Sequence, residues 1–221
     1  FNSLCEIVNS NNITNSSIIQ VGDFGVGFSS FEKDLKALTI CNDVLKERDV
    51  NLYVIRGNHD NPLYFYEDKF HLSNIFFVQD YTVLDISNHK ILCLGGAITV
   101  DRFTRKEDIS LWANEKFIFD EKRLNDVRNI DIIVSHSAPI YCFPDHMAGT
   151  DEYFKNPIDE DTKLLKVEVD EERKKLEKAV SILKKNNNIN YFVYGHFHQS
   201  KKQMIDGTNF ILLNIKELYE I

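Results

Sequence analysis

The sequence predicts an α/β fold with parallel strands, and three observations support this prediction. Four short runs are rich in Ile, Val and aromatic residues, which is typical of strands that are buried on both faces. The segment between the first two runs repeats apolar residues at helical spacing, and this indicates a βαβ unit with a right-handed crossover. Each run leads directly into polar residues. The four runs are residues 17–21, 52–56, 131–135 and 191–194.

Local patterns predict the other elements in chain order. Residues 1–10 predict a helix, and residues 31–48 predict a strongly amphipathic one. Three close-set strands within residues 75–100, two of them joined by a turn at residues 87–88, predict an antiparallel portion. The later pattern indicates a short helix, a charged helix and a closing hairpin, over residues 120–128, 170–185 and 203–215.

Two polar stretches are expected at the surface. The run of charges at residues 171–175 is typical of a solvated helix face. Residues 144–163 show little periodicity and follow the strand that leads into His136. We therefore expect a loop there that contributes to substrate specificity.

Composition limits the classes of protein to which the chain can belong. With 221 residues and 43% hydrophobic content it can bury one substantial core, so we expect a single domain over residues 1–221. The net charge of −8 argues against a nucleic-acid-binding surface. The four cysteines are widely spaced and form no CxxC pair, which favours buried free thiols in a reducing cytoplasm. No apolar run approaches the length of a membrane span, so we expect no membrane partner.

Candidate metal ligands follow the four apolar runs. Because polar residues at the carboxyl ends of such strands gather at one edge of a sheet, we expect them to form one cluster. Glycines that precede them let the backbone turn sharply and approach an ion. Mixed oxygen and nitrogen ligands suit Mn, Fe, Zn, Ni or Co, and the sequence does not choose among these metals. The expected cluster comprises Asp23, Asn58, His136, His196 and His198, with His59 beside it.

The order of these strings resembles a known family. GD at residues 22–23, GNHD at 57–60, His136 and GHxH at 195–198 resemble the calcineurin-like metallophosphoesterases. The resemblance implies a four-layer αββα sandwich of two mixed β-sheets flanked by helices, and a centre that holds two divalent metal ions. It makes Asp23 the carboxylate that bridges both ions. It places Asn58, His136 and His196 on the second ion and His198 on the first.

The resemblance also implies a reaction. The expected activity is hydrolysis of a phosphomonoester or phosphodiester by a hydroxide that bridges the two ions. His59 is implied to be the general acid, with Asp60 as the carboxylate that orients its ring. The expected partner is a phosphorylated small molecule or another phosphoester, and the sequence defines neither the substrate nor the oligomeric state.

A second, shorter similarity concerns two arginines. Residues 95–102, together with Arg105 and Trp112, resemble a segment of small microbial and phage members of the family. Arg102 and Arg105 could hold a phosphate through bidentate hydrogen bonds. The alternative for both is a surface position in a loop.

One departure from the family concerns the start of the chain. Members of the family carry an Asp-x-His motif on their first strand, and no such motif precedes Asp23 here. We therefore expect the native polypeptide to extend upstream by a short β-strand that ends in Asp-x-His and supplies two ligands of the first ion. The alternative is a catalytically impaired scaffold of the same fold that binds protein partners. Retention of His59 and Asp60 favours the enzyme, because a scaffold needs no general acid.

Overall fold

Two β-sheets packed face to face lie at the centre of the fold, and helices cover their outer sides. The structure is a computed structural model that describes residues 2–67, 69–144 and 160–221. The helices within these residues are α1 (Asn2–Ser10), α2 (Phe31–Glu47), α3 (Leu63–Tyr66), α4 (Glu121–Asp126) and α5 (Glu160–Asn186), with a 3₁₀ helix at Arg102–Thr104. The strands are β1 (Ser16–Gln20), β2 (Val50–Ile55), β3 (Ile75–Val78), β4 (Val83–Ile86), β5 (His89–Leu94), β6 (Ile132–Ser135), β7 (Tyr191–Tyr194), β8 (Lys201–Ile205) and β9 (Thr208–Leu212).

The two sheets differ in the directions of their strands. In the three-stranded sheet, β1, β2 and β3 lie side by side in that order and run parallel. The six-stranded sheet has the order β4-β5-β6-β7-β9-β8, with parallel strands in the middle and an antiparallel strand at each edge. Within the described ranges only the six-stranded sheet is mixed, which corrects the expectation of two mixed sheets. The smaller sheet is parallel because helical connections, containing α2 and α3, join its strands.

Alternation of side chains along the strands builds four layers. On β6, Ile133 packs with apolar residues of α4 and α5, whereas Ile132 and Val134 pack against the other sheet. The three-stranded sheet contributes Ile55 and Val78 to the same layer between the sheets. Its opposite face packs against α1 and α2. The four-layer αββα sandwich that the resemblance implies is therefore confirmed.

Helix α2 is held against the three-stranded sheet by one apolar face. Leu38, Cys41 and Leu45 recur at helical spacing and are at most 1% exposed. Burial of a leucine side chain stabilises a fold by about 1.5–3 kcal/mol. The helix also reaches the loop after β1, because the Asp34 carboxylate accepts a hydrogen bond of 2.8 Å from the Gly27 N–H. Packing of α2 thus positions that loop.

Several local predictions are confirmed, with small shifts at the ends of elements. The helices predicted at the start of the chain, after β1 and before β6 are α1, α2 and α4. Asp120 caps α4, since its carboxylate accepts the Arg123 N–H at 3.0 Å. Ser87 and Asn88 form the turn between β4 and β5 with φ of +51° and +67°. Strands β8 and β9 form the closing hairpin.

Two predictions about strand pairing and helix length are wrong. Residues 75–78 form β3, which pairs parallel with β2 and takes no part in the antiparallel portion. The connection from β2 to β3 contains α3 and is long enough for a crossover, which a hairpin does not need. The charged helix begins at Glu160 instead of near residue 170, because Leu165 and Val169 extend its buried stripe.

The charge run in α5 is solvated only in part: Glu171, Lys174 and Lys175 are exposed as predicted, whereas the other two residues are buried. Glu172 and Arg173 are 5% and 6% exposed. The Glu172 carboxylate accepts the N–H groups of Ile98 and Phe117. The Arg173 guanidinium donates to four backbone carbonyls between residues 138 and 144. Backbone groups replace water around these charges, so α5 anchors the loops that follow β5 and β6.

The described residues bear only in part on the remaining predictions. Most of the predicted specificity loop at residues 144–163 lies outside them, and residues 160–163 belong to α5. In the described part of the chain β1 is an edge strand of its sheet, and the upstream strand stays a prediction. Among the residues described, no helix combines the length and the apolar character that a membrane span requires.

Candidate metal centre

The loops after four strands, two from each sheet, meet at one place. Asp23 follows β1 and Asn58 follows β2, whereas His136 and His196 follow β6 and β7. One ligand atom from each of Asp23, His136 and His196 lies within 4.8 Å of the other two. The Asn58 side-chain oxygen lies 3.0 Å from His136 Nε2 and so joins the same group. The structure thus brings together four of the five ligands that the sequence predicts.

Glycines make this close approach possible. A Cβ atom on Gly57 would collide with the backbone nitrogen and the carboxylate of Asp23, and one on Gly22 would collide with the His136 ring. Asp23 and His196 themselves have φ of +60° and +68°, a left-handed conformation that costs free energy for residues with a side chain. Such strain persists only where the surrounding structure determines it, and it is frequent at functional sites.

His136 is the centre of the group, and its hydrogen bonds define which nitrogen faces the other ligands. It is 1% exposed. Its Nδ1 lies 2.6 Å from the Val21 carbonyl oxygen, which only accepts, so Nδ1 carries a hydrogen. Nε2 faces Asn58 Oδ1 at 3.0 Å and Asp23 Oδ1 at 3.2 Å. When Nε2 is unprotonated, three lone pairs converge at this point, and a cation is needed to hold them together. The residues present therefore fit a divalent metal ion.

The ionisation states of Asp23 and His196 suit a metal, and His136 would have to lose a proton to bind one. Burial lowers the pKa of His136, but the charge and hydrogen bond of Asp23 outweigh it and raise that pKa. Burial disfavours the charged form of Asp23, but the charge and hydrogen bond of His136 outweigh it and hold the Asp23 pKa well below its usual range. Burial, together with the charge on His136, holds the pKa of His196 well below its usual range. An ionised carboxylate and a neutral imidazole are the forms in which these side chains bind metals.

His59 lies beside the group and is half-buried. Its backbone N–H donates to Asp23 Oδ1 at 2.8 Å, which holds the residue next to the ligands. Its ring lies 6.1 Å from the ring of Phe28, and its Nδ1 has no hydrogen-bond partner among the described residues. Burial lowers the pKa of His59, although the nearby Asp23 charge opposes this. No described residue therefore holds the ring through a hydrogen bond to Nδ1.

Asp60 does not orient the His59 ring, and this corrects its predicted role. Its carboxylate is fully buried and accepts four backbone N–H groups, those of Phe24, Gly25, Val26 and Gly57, at 2.7–3.2 Å. Within the described ranges no hydrogen bond joins it to His59. Burial raises the pKa of Asp60 to about 6, and the Asp23 charge adds to this effect. Asp60 therefore ties the loop after β1 to the loop after β2.

His198 and the two arginines lie further from the centre. His198 is exposed and lines a groove that also contains Asp23, His136 and His196. Arg105 pairs with the Asp101 carboxylate through Nε at 2.9 Å and Nη2 at 2.6 Å, and its charge lowers the pKa of His59. Arg102 instead pairs with Glu168 of α5 at 2.8 Å. Arg105 thus lies on the His59 side of the site, whereas Arg102 is tied to a helix.

Three buried residues around the centre were missed from the sequence. Arg56 is 1% exposed and pairs with Asp80 at 2.8 Å. Thr99 and Glu115 are also buried and form a hydrogen-bonded pair behind Asn58. Thr99 lies within the 95–102 segment that resembles small members of the family, and this was the available signal.

A comparison with protein families agrees with this architecture. Residues 1–200 match the calcineurin-like phosphoesterase family, and the chain belongs to it. The family usually binds divalent metals, and the group around His136 is a possible ligand set. A similar solved structure is described as "GAP50 the anchor in the inner membrane complex of Plasmodium", with 13% identity, a TM-score of 0.44 and coverage of 99% of this chain and 67% of that chain. A comparison with curated proteins found no match.

Proposed function

We propose that the protein is a metal-dependent phosphoesterase. The observation that carries this proposal is the convergence of Asp23 Oδ1, Asn58 Oδ1 and His136 Nε2 on one point, next to a half-buried histidine outside that group. Asp23, Asn58, His136 and His196 would hold one divalent ion. Asp23 would be shared with a second ion on the side of His198.

The metal ions and the protein would divide the chemistry. When bound, divalent ions neutralise negative charge on a phosphate and lower the pKa of water, which phosphoester hydrolysis requires. The leaving alkoxide then needs a proton. His59 is held next to Asp23 through its backbone, and its ring Nδ1 has no hydrogen-bond partner among the described residues, so the ring could donate that proton. A general acid of this kind contributes about 10²–10⁴-fold to the rate.

Substrate binding would rely on local positive charge. The chain carries a net charge of −8, which does not attract anions from a distance. Arg105 presents a guanidinium near His59, and its Nε and Nη2 both donate to Asp101 Oδ2. We assign Arg105 to the substrate phosphate because its charge acts on His59, and we give a weaker role to Arg102, which pairs with Glu168 of α5. The expected substrate is a phosphorylated small molecule, and the buried thiols Cys41, Cys93 and Cys142 favour a cytoplasmic location.

Turnover with and without metal tests the proposal. Protein stripped with a chelator is assayed against p-nitrophenyl phosphate and its bis-ester, before and after addition of Mn²⁺. We expect Mn²⁺-dependent release of p-nitrophenol, with the preferred ester separating phosphomonoesterase from phosphodiesterase. The matched control is His59→Asn, which removes the proposed acid and keeps the ligands. Tight Mn²⁺ binding with no turnover of either ester would favour the scaffold.

A further inference from the structure

The orientation of the Asn58 amide decides whether it can bind a cation. Its Oδ1 lies 3.0 Å from His136 Nε2, and its Nδ2 lies 3.0 Å from Thr99 Oγ1. Only the oxygen has lone pairs to offer, since the NH₂ group is a donor. Rotation of the amide by half a turn would direct two hydrogens at the metal centre. The two orientations of the Asn58 amide have nearly the same shape, so a neighbouring group must determine which one is adopted.

The Thr99 hydroxyl makes this selection. Its single hydrogen goes to Glu115 Oε2 at 2.7 Å, so its lone pairs remain free to accept from Asn58 Nδ2. The Thr99 backbone N–H donates to the other carboxylate oxygen, Oε1, also at 2.7 Å. Asn58, Thr99 and Glu115 are 1%, 0% and 4% exposed, so bulk water does not compete for these bonds.

We call the chain of hydrogen bonds from Asn58 to Thr99 to Glu115 the relay. Glu115 determines which group donates and which accepts at each step. Burial raises the pKa of Glu115, and the two hydrogen bonds from Thr99 oppose this effect. When the carboxylate is ionised it only accepts hydrogen bonds, so the Thr99 hydroxyl must donate to it. The hydroxyl then accepts from Asn58, and the amide oxygen is left facing His136. A glutamine at position 115 would have nearly the same shape but could donate to the Thr99 oxygen. The hydroxyl hydrogen would then point at Asn58 and favour the reversed amide.

Arg56 keeps Glu115 in place. Its guanidinium donates to the backbone carbonyls of Asn114, Glu115 and Lys116 at 2.6–3.1 Å. Arg56 belongs to the turn that also delivers Asn58, so the end of β2 provides both a candidate ligand and the support of its relay.

We propose that Thr99 and Glu115 are positioning residues that hold the Asn58 amide with its oxygen toward the metal centre, and that Arg56 fixes Glu115 for this task. The proposal rests on the proposed metal-dependent function. It goes further because it assigns roles to three residues that contribute no ligand atom. Loss of such supporting contacts typically weakens metal affinity by about 10–100-fold.

Titration of metal-stripped variants with Mn²⁺ alone tests the proposal by calorimetry, without any substrate. We expect Glu115→Gln and Thr99→Val to bind Mn²⁺ about 10–100-fold more weakly than the unchanged protein. Thr99→Ser keeps the hydroxyl and should restore affinity to within about threefold of the unchanged protein, which loss of packing alone would not predict. Thr39→Val makes the same chemical change on the exposed side of α2 and serves as the matched control.

The outcomes are distinguishable. If Glu115→Gln fails to fold, as circular dichroism would show, the difference in Mn²⁺ affinity between Thr99→Val and Thr99→Ser still tests the relay. Equal Mn²⁺ affinity of Thr99→Val, Glu115→Gln and the unchanged protein would overturn the relay alone. Failure of the unchanged protein to bind Mn²⁺ would overturn the proposed function, and the relay with it.

Discussion

Replacement of Arg56 by methionine should destabilise the protein severely. Arg56 and Asp80 form an ion pair at 2.8 Å with side chains that are 1% and 8% exposed. In Arg56→Met the Asp80 carboxylate would remain buried. It would lose its ion pair with Arg56 and keep the hydrogen bond of 2.9 Å from the Gly95 N–H. Three backbone carbonyls that Arg56 now satisfies would also lose a donor.

The expected loss can be worked out from this geometry. Removal of one partner of a buried ion pair costs about 3–5 kcal/mol, because it leaves an uncompensated charge. For a chain of this size each kcal/mol shifts Tm by about 2–4 °C, so Tm should fall by about 6–20 °C. The same free energy is a large part of the about 5–15 kcal/mol that typically separates folded from unfolded protein.

Thermal and urea unfolding, followed by circular dichroism, measure this loss. The control is Lys178→Met, which removes an ion pair with Glu121 whose side chains are 55% and 56% exposed and should cost less than about 1 kcal/mol. The double variant Arg56→Met/Asp80→Leu should recover part of the loss, since no buried charge remains. A single variant within about 1 kcal/mol of the unchanged protein would refute the reasoning, as would a double variant no more stable than the single one.

Three further predictions concern the site. His59→Asn should bind Mn²⁺ nearly as well as the unchanged protein while turnover falls by about 10²–10⁴-fold, and loss of the metal together with activity would instead make His59 a ligand. Asp23→Ala removes the carboxylate of the group, so metal quantification should show a collapse in occupancy, whereas normal occupancy would exclude the bridging role. Arg105→Ala should lower kcat/KM with metal content unchanged, and by more than Arg102→Ala, because the Arg105 charge acts on His59 whereas Arg102 pairs with Glu168 of α5. If neither arginine variant changes the kinetics, both are surface residues.

The parts of the fold that the sequence predicts well are those that local patterns determine. Apolar runs such as residues 191–194 predict strands because their length and composition suit burial on both faces. Helical spacing before β2 predicts α2, and a glycine before Asn58 or His196 predicts a close backbone approach. The meeting of these residues then follows from the general rule that ligands gather at strand ends.

The features that the sequence does not predict depend on distant partners. Residues 75–78 could pair with strands of either sheet, and only tertiary packing places β3 beside β2. Glu172 lies in a run of charges, yet it is buried because two backbone N–H groups of the distant connection after β5 donate to it. Asp60 is next to His59 in the chain, but its carboxylate points to the loop after β1. In each case the partner lies far away along the sequence.

The central claim is that the group around His136 binds catalytic metal next to His59, and anomalous X-ray diffraction tests it most directly. Crystals soaked with Zn²⁺ and inorganic phosphate should show an anomalous peak about 2.0–2.2 Å from Asp23, Asn58, His136 and His196. A phosphate oxygen should lie within hydrogen-bond distance of the His59 ring. A peak only at other residues, or no peak in this group, would contradict the account.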